Sequence, residues 1–141
     1  MAKYFNLKEL TYSSTAKKHN IDNTPTEEIK EHIEELMEFL DDVREKWGSA
    51  IIVNSGYRCP KLNEKAGGAK TSGHLSGWAA DIVPANNQKA KFFEFLQEYV
   101  KDKDFDELIF EKNAKGSVWI HFALKSIQGK QRRKIKTLQV K

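Results

Sequence analysis

Residues 72–81 read SGHLSGWAAD. The stretch passes from loop composition into a short apolar run, AADIV (79–83), which closes at Pro84 and reads as a buried strand. His74 is one of four histidines in the chain, and Asp81 follows it by seven residues. Small side chains at Gly77, Ala79 and Ala80 leave room for the two to converge on one point. A catalytic zinc ion takes three protein ligands and keeps a fourth position for water. A loop-to-strand segment can carry two of them, so the third has to come from a distant strand. His121, in SVWIHFAL (117–124), is the candidate, and Ser72 is placed to hydrogen-bond a ligand. Spacing alone favours the plainer reading of a core histidine and a surface aspartate.

The flanking elements supply strands that would bring these residues together. AIIVNSGYR (50–58) is rich in β-formers and ends on a turn signal, which predicts a strand at about 50–55. Before it, TPTE (24–27) reads as a helix start, with Thr24 as N-cap, Pro25 at the first helical position and Glu27 closing the box. Ile29, Ile33, Leu36, Leu40, Val43 and Trp47 recur at spacings of three and four, so an amphipathic helix spans about 25–47 and stops at Gly48. Asn6, three residues before Glu9, predicts a short helix after it. Residues 58–78 have loop composition. NQKAKFFEFLQEYV predicts a second long helix, with Phe92, Phe93, Leu96 and Val100 toward the core. DELIFE and SVWIHFAL are strands joined through KNAKGS, a hairpin loop by composition. The expected fold is α+β, with helices packed on one mainly antiparallel sheet, in a single domain over residues 1–141.

Composition narrows the function classes. The chain has 141 residues and a single cysteine, Cys59, so no intramolecular disulfide can form. No apolar run reaches the roughly 18 residues needed to cross a bilayer. The N-terminal MAKYFNLKEL lacks the apolar stretch of a secretory signal, which predicts a cytoplasmic product as synthesised. The net charge of +4 is unevenly spread: residues 1–124 hold 17 Lys+Arg against 20 Asp+Glu, and residues 125–141 hold seven basic residues and no acid. A basic tail can serve nucleic acid, lipid or an anionic wall polymer. Ile127, Ile135, Leu138 and Val140 point instead to an ordered edge strand kept soluble by its lysines and arginines. His19 and His32 read as surface residues, and Cys59 lacks an activating base nearby. Tyr57, Trp78 and Trp119 are candidates for a substrate groove, although large aromatics also build cores.

SGYRCPKLNEKAGG followed by SGHLSGWAAD resembles the signature of the zinc D-Ala-D-Ala peptidases, the bacterial and phage family that trims peptidoglycan stem peptides. Ser72, His74, Gly77, Ala79 and Asp81 occupy each fixed position of its S-x-H-x-x-G-x-A-x-D pattern. Ser55-Gly56-Tyr57-Arg58 and Trp119-Ile120-His121 supply the flanking motifs in order, and the likeness extends over nearly the whole chain. The resemblance implies a Hedgehog- and D,D-peptidase-like α+β fold. It implies one zinc ion per chain held by His74, Asp81 and His121, with Arg58 facing the substrate; Ser72, Tyr57 and Trp119 remain the candidates, on their own chemistry, to support ligands or substrate.

The general base is less direct. Many relatives place an acid three residues before the last zinc histidine, and Val118 stands there in this chain. The Hedgehog signalling domain, which resembles the same family, has a strand ending in Glu shortly before its I-H strand; LIFE then VWIH is similar and points to Glu111. Glu107 competes, because a hairpin centred near Ala114 would set it opposite His121. If Glu111 is the base, Glu107 is expected to face solvent or the sheet edge. The resemblance thus implies a metallopeptidase for stem peptides, a D,D-carboxypeptidase or endopeptidase. It would act as a monomer on peptidoglycan, with no nucleic-acid or membrane partner, and would reach the wall through a phage holin if it is a lysin. The other readings are a zinc-containing binding module without catalysis, and a nucleic-acid-binding protein using the tail.

Overall fold

The computed structural model describes residues 2–140. Two short helices, α1 (Leu7–Thr11) and α2 (Ser14–Lys18), precede the long helix α3 (Glu27–Trp47). Then follow β1 (Ile51–Ser55), α4 (Pro60–Lys65), a 3₁₀ turn (Gly73–Ser76), β2 (Ala79–Pro84) and α5 (Lys89–Tyr99), which runs into a second 3₁₀ turn (Val100–Asp102). The chain ends in β3 (Glu107–Lys112), β4 (Val118–Ala123) and β5 (Lys134–Gln139). The strands form one sheet in the order β1-β2-β4-β3-β5. Every pairing is antiparallel except β3 with β5. The α+β reading with a mainly antiparallel sheet therefore holds. No helix among the described residues is long and apolar enough to cross a membrane.

Alternation along the strands divides the sheet into two faces. Ile82, Leu108, Ile120 and Phe122 are at most 1% exposed and share the core with Leu36, Leu40 and Val43 of α3 and with Phe92 and Leu96 of α5. Phe39 of α3 stacks on Phe122 at 4.8 Å between ring centroids. Asp81, Glu107, Ile109, Glu111, Trp119 and His121, at the intervening positions, line a cleft on the opposite face. The long helices α3 and α5 pack on one side of the sheet, so the chemistry-bearing side chains are left to the other.

The structure moves some boundaries. The long helix starts at Glu27, with Thr26 as N-cap; its side chain accepts from the Ile29 amide at 3.2 Å. Thr24, expected to cap, instead donates its hydroxyl to Asp22 Oδ1 at 2.6 Å, and Pro25 is buried ahead of the helix. Two threonines flank the proline, and Asp22 engages the first, which leaves the second to cap. The segment 58–78 is not all loop: α4 starts at Pro60, whose fixed φ suits the first helical turn. Helices of five or six residues, such as α2 and α4, are too short to show a hydrophobic period. The basic tail forms β5 at the sheet edge, with every residue of the strand exposed.

Candidate metal centre

Asp81 and His121 are direct cross-strand partners in the β2–β4 ladder. Pairing sets their side chains on one face at neighbouring positions, where cross-strand groups interact. A bulge in β1, between Val53 and Ser55, brings Ser55 opposite Asp81 on its other side. His74 arrives from the 3₁₀ turn Gly73–Ser76, which Ser72 caps and Gly77 ends in the left-handed region at φ 84°. Gly77 also presses on α3: a Cβ there would meet Ile33 Cγ1 at 2.9 Å. His32, read from sequence as a surface residue, braces this turn. Its Nδ1–H donates to the Ser76 carbonyl at 2.8 Å, and its ring stacks on Trp78 at 3.6 Å.

The protons on the two site rings follow from their partners. His74 Nδ1 lies 2.7 Å from the Gly56 carbonyl oxygen, which can only accept, so Nδ1 carries the proton. The neutral ring then presents a lone pair at Nε2, and that atom is 3.3 Å from Asp81 Oδ1. His121 Nδ1 is 3.1 Å from the same oxygen, while its Nε2 faces Glu107 Oε1 at 3.5 Å. Both nitrogens of this ring face carboxylates, so with a cation at Asp81 the ring proton would sit at Nε2 toward Glu107 and leave Nδ1 a lone pair. Three electron-rich atoms thus converge on one point, all within 4.8 Å of one another. Only a cation or added protons can reconcile them. Bonds of about 2.0–2.1 Å arranged tetrahedrally put ligand atoms about 3.3 Å apart. The observed 3.1 and 3.3 Å leave room for a cation of that size held by His74, Asp81 and His121.

Without a cation, a proton on His121 can take its place beside Asp81. Burial alone would raise the Asp81 pKa, but the charges and hydrogen bonds of His74 and His121 hold its carboxyl well below the usual range. Burial likewise works against a charged His121. Its bonds to Asp81 and Glu107 and the nearby Glu111 charge outweigh that and push it up to about 10. Both side chains are at most 16% exposed, so these interactions act with little screening.

The cluster sits in a cleft of about 1030 Å³. Glu111 is paired across the ladder with Trp119 and accepts its indole N–H at 2.6 Å through Oε1. Burial raises the Glu111 pKa and Asp81 adds to this, with His121 and the indole opposing. Arg58 lines the same cleft. Its backbone amide donates to the His74 carbonyl at 3.0 Å, and its buried Nε has no hydrogen-bond partner. Burial lowers the Arg58 pKa against the pull of Asp81 and Glu111. The far wall comes from the tail, through Lys130, Arg132, Lys136 and Leu138.

Several sequence expectations need correction here. Ser72 does bond His74, accepting from its backbone amide at 3.2 Å, while the Gly56 carbonyl holds the ring. Tyr57 is 5% exposed in the core, with its amide tied to the Leu10 carbonyl at 2.7 Å, and it does not line the cleft. Trp78 lies against His32, also off the cleft, whereas Trp119 lines it. The hairpin register pairs His121 with Ile109 and sets Glu107 opposite Ala123. Glu107 still reaches His121 along the diagonal, so it faces that ring and not solvent. Sequence reading missed the Gly56 carbonyl, whose signal was the Gly of SGYR, and Asp106 and Arg132, which no motif marked.

Among known proteins, the family model described as Peptidase M15 matches residues 3–123. No curated protein matches the chain.

Proposed function

From the premise that the chain belongs to the peptidase M15 family, the zinc D-Ala-D-Ala carboxypeptidase-like peptidases, we propose that it hydrolyses peptide bonds of peptidoglycan stem peptides. The observation that carries this reading is the convergence of three metal-ligating atoms in a cleft that also holds a carboxylate with a raised pKa and a partnerless arginine nitrogen. His74, Asp81 and His121 would hold one zinc ion, which when bound polarises a scissile carbonyl and lowers the pKa of water toward neutrality.

The protein's own groups would do the rest. Glu111 has Oε1 fixed by the Trp119 indole, and Oε2 has no partner among the described residues. A carboxylate made more basic by burial suits a general base that takes a proton from the attacking water and passes it to the leaving amine. Arg58 offers a rigid fork of donors for a developing oxyanion or a terminal carboxylate of the peptide. Val118, where many relatives carry an acid, leaves this work to Glu111, which reaches the cleft from the neighbouring strand. The natural setting would be the cell wall, met by a monomeric lysin after release from the cell.

The decisive experiment is hydrolysis of a peptide ending in D-Ala-D-Ala by the zinc-loaded protein, followed by the appearance of free D-alanine or of internal cleavage products. Release of terminal D-alanine identifies a carboxypeptidase and internal cleavage an endopeptidase. A zinc-loaded protein that cleaves neither this peptide nor cross-linked stem peptides would overturn the proposal and leave a zinc-binding module.

A further inference from the structure

The family match ends at residue 123, yet the chain continues and closes one wall of the cleft. What anchors this continuation is Asp106, only 1% exposed. Arg132 grips it with a two-pronged contact, Nε to Oδ1 and Nη2 to Oδ2, both at 2.7 Å, and the Arg132 amide donates to Oδ1 at 3.1 Å. The neighbouring amides of Arg133 and Lys134 donate to the carbonyls of Phe105 and Asp106. The guanidinium is therefore fixed before it meets anything else. Its Nη2 also lies 3.7 Å from Glu107 Oε2, and the other oxygen of that carboxylate faces His121 Nε2 at 3.5 Å.

We propose that Arg132 is a positioning residue for the metal centre, acting through Glu107 on the His121 ring. A neutral imidazole has one N–H. If Glu107 accepts it at Nε2, the lone pair stays at Nδ1, where it meets Asp81. Glu107 can do this only while its carboxylate is turned toward the ring, and the two contacts to Glu107 are individually long and weak. A cation held in place by Asp106 keeps that carboxylate from swinging into the open cleft at little cost in side-chain order, because the fork is already set. Arg132 thus orients a ligand it does not touch, from a segment outside the matched family region. This inference rests on reading His74, Asp81 and His121 as a zinc site.

A double-mutant cycle on the full chain tests it, with the zinc dissociation constant measured by competition against a chromophoric chelator. Glu107→Ala should weaken zinc binding about 10- to 100-fold, as loss of the partner of a metal-bound histidine does. Arg132→Ala should weaken it by at least about 3-fold. The double variant should bind zinc no more weakly than Glu107→Ala alone, because residues acting in series are not additive. The visible spectrum of the cobalt-substituted protein should change in the same sense in both single variants. Should Arg132→Ala fail to fold, Arg132→Lys replaces it in the cycle, since lysine keeps the charge and loses the fork. Wild-type affinity in the Arg132 variant, or its full effect persisting on top of Glu107→Ala, overturns the proposal while leaving the zinc reading intact. A wild-type chain that binds no zinc overturns both.

Discussion

Two positions test the chemistry of the cleft directly. Glu111→Gln keeps the indole contact in place but removes the proton acceptor, so turnover should fall about 10²–10⁴-fold with zinc content unchanged. Equal activity in wild type and variant would move the base elsewhere. Arg58→Ala should cost about 10²-fold in turnover, and Arg58→Lys should recover little, because an ammonium cannot present the fork. A third position, Gly56, joins site to scaffold. Its carbonyl fixes the His74 tautomer, while an added Cβ would run into the Leu10 backbone, with the Leu10 carbonyl carbon at 2.8 Å. The Leu10 backbone has little room to yield, since its carbonyl also receives the Tyr57 amide. Gly56→Ala should destabilise the fold by about 1–3 kcal/mol, as overpacking does, and also loosen zinc. Urea midpoints in chelator, with a separate zinc titration, would show both effects; a variant with a wild-type midpoint would mean that the α1–β1 contact is soft.

Among the elements, α3 makes the boundary question measurable. Thr26→Ala removes the side-chain acceptor for the Ile29 amide and should cost about 1 kcal/mol, whereas Thr24→Ala should cost less, because Thr24 bonds only Asp22. Denaturant unfolding of the two variants would separate them, and the opposite order would put the cap at Thr24. The same helix shows how far sequence carries. Its hydrophobic period was legible because 21 residues repeat it, and its start was ambiguous because two threonines satisfy the same capping rule. The strands were legible from β-rich runs between turn signals, and His74, Asp81 and His121 from a linked set of motifs. Sequence could not give the pairing register: a hairpin centred one residue away from the expected point moves Glu107 from opposite His121 to opposite Ala123. Nor could it give Arg132, whose role depends on a parallel return of the tail beside β3.

For the molecule as a whole, a metal ion at His74, Asp81 and His121 would compete with protons for the same atoms, which makes stability depend on pH in a defined direction. In the metal-free chain His121 is raised from about 6.5 when unfolded to about 10. Between those values the folded state binds more protons than the unfolded, so stability falls as pH rises. The contribution is complete below about 6.5 and lost as pH passes through about 10. Asp81, depressed, acts at the acid end: its contribution is present above about 3.9 and disappears on acidification. Denaturant midpoints in chelator should therefore drop between pH 6.5 and 9.5, and the drop should be smaller in His121→Gln. A flat wild-type profile would mean that the ring is uncharged in the fold. Zinc should stabilise increasingly over the same range, because it displaces the ring proton. The direct pairing of Asp81 with His121 has a further consequence at the level of the gene. Strand side chains alternate with a period of two, so one codon inserted inside β2 or β4 would turn a ligand from the cleft to the helices. An added codon in the 113–117 turn would leave all three ligands on their face. Descendants of this gene are free to vary in length at the hairpin tip, and they can keep a metal site of this kind only with β2 and β4 held to a fixed count.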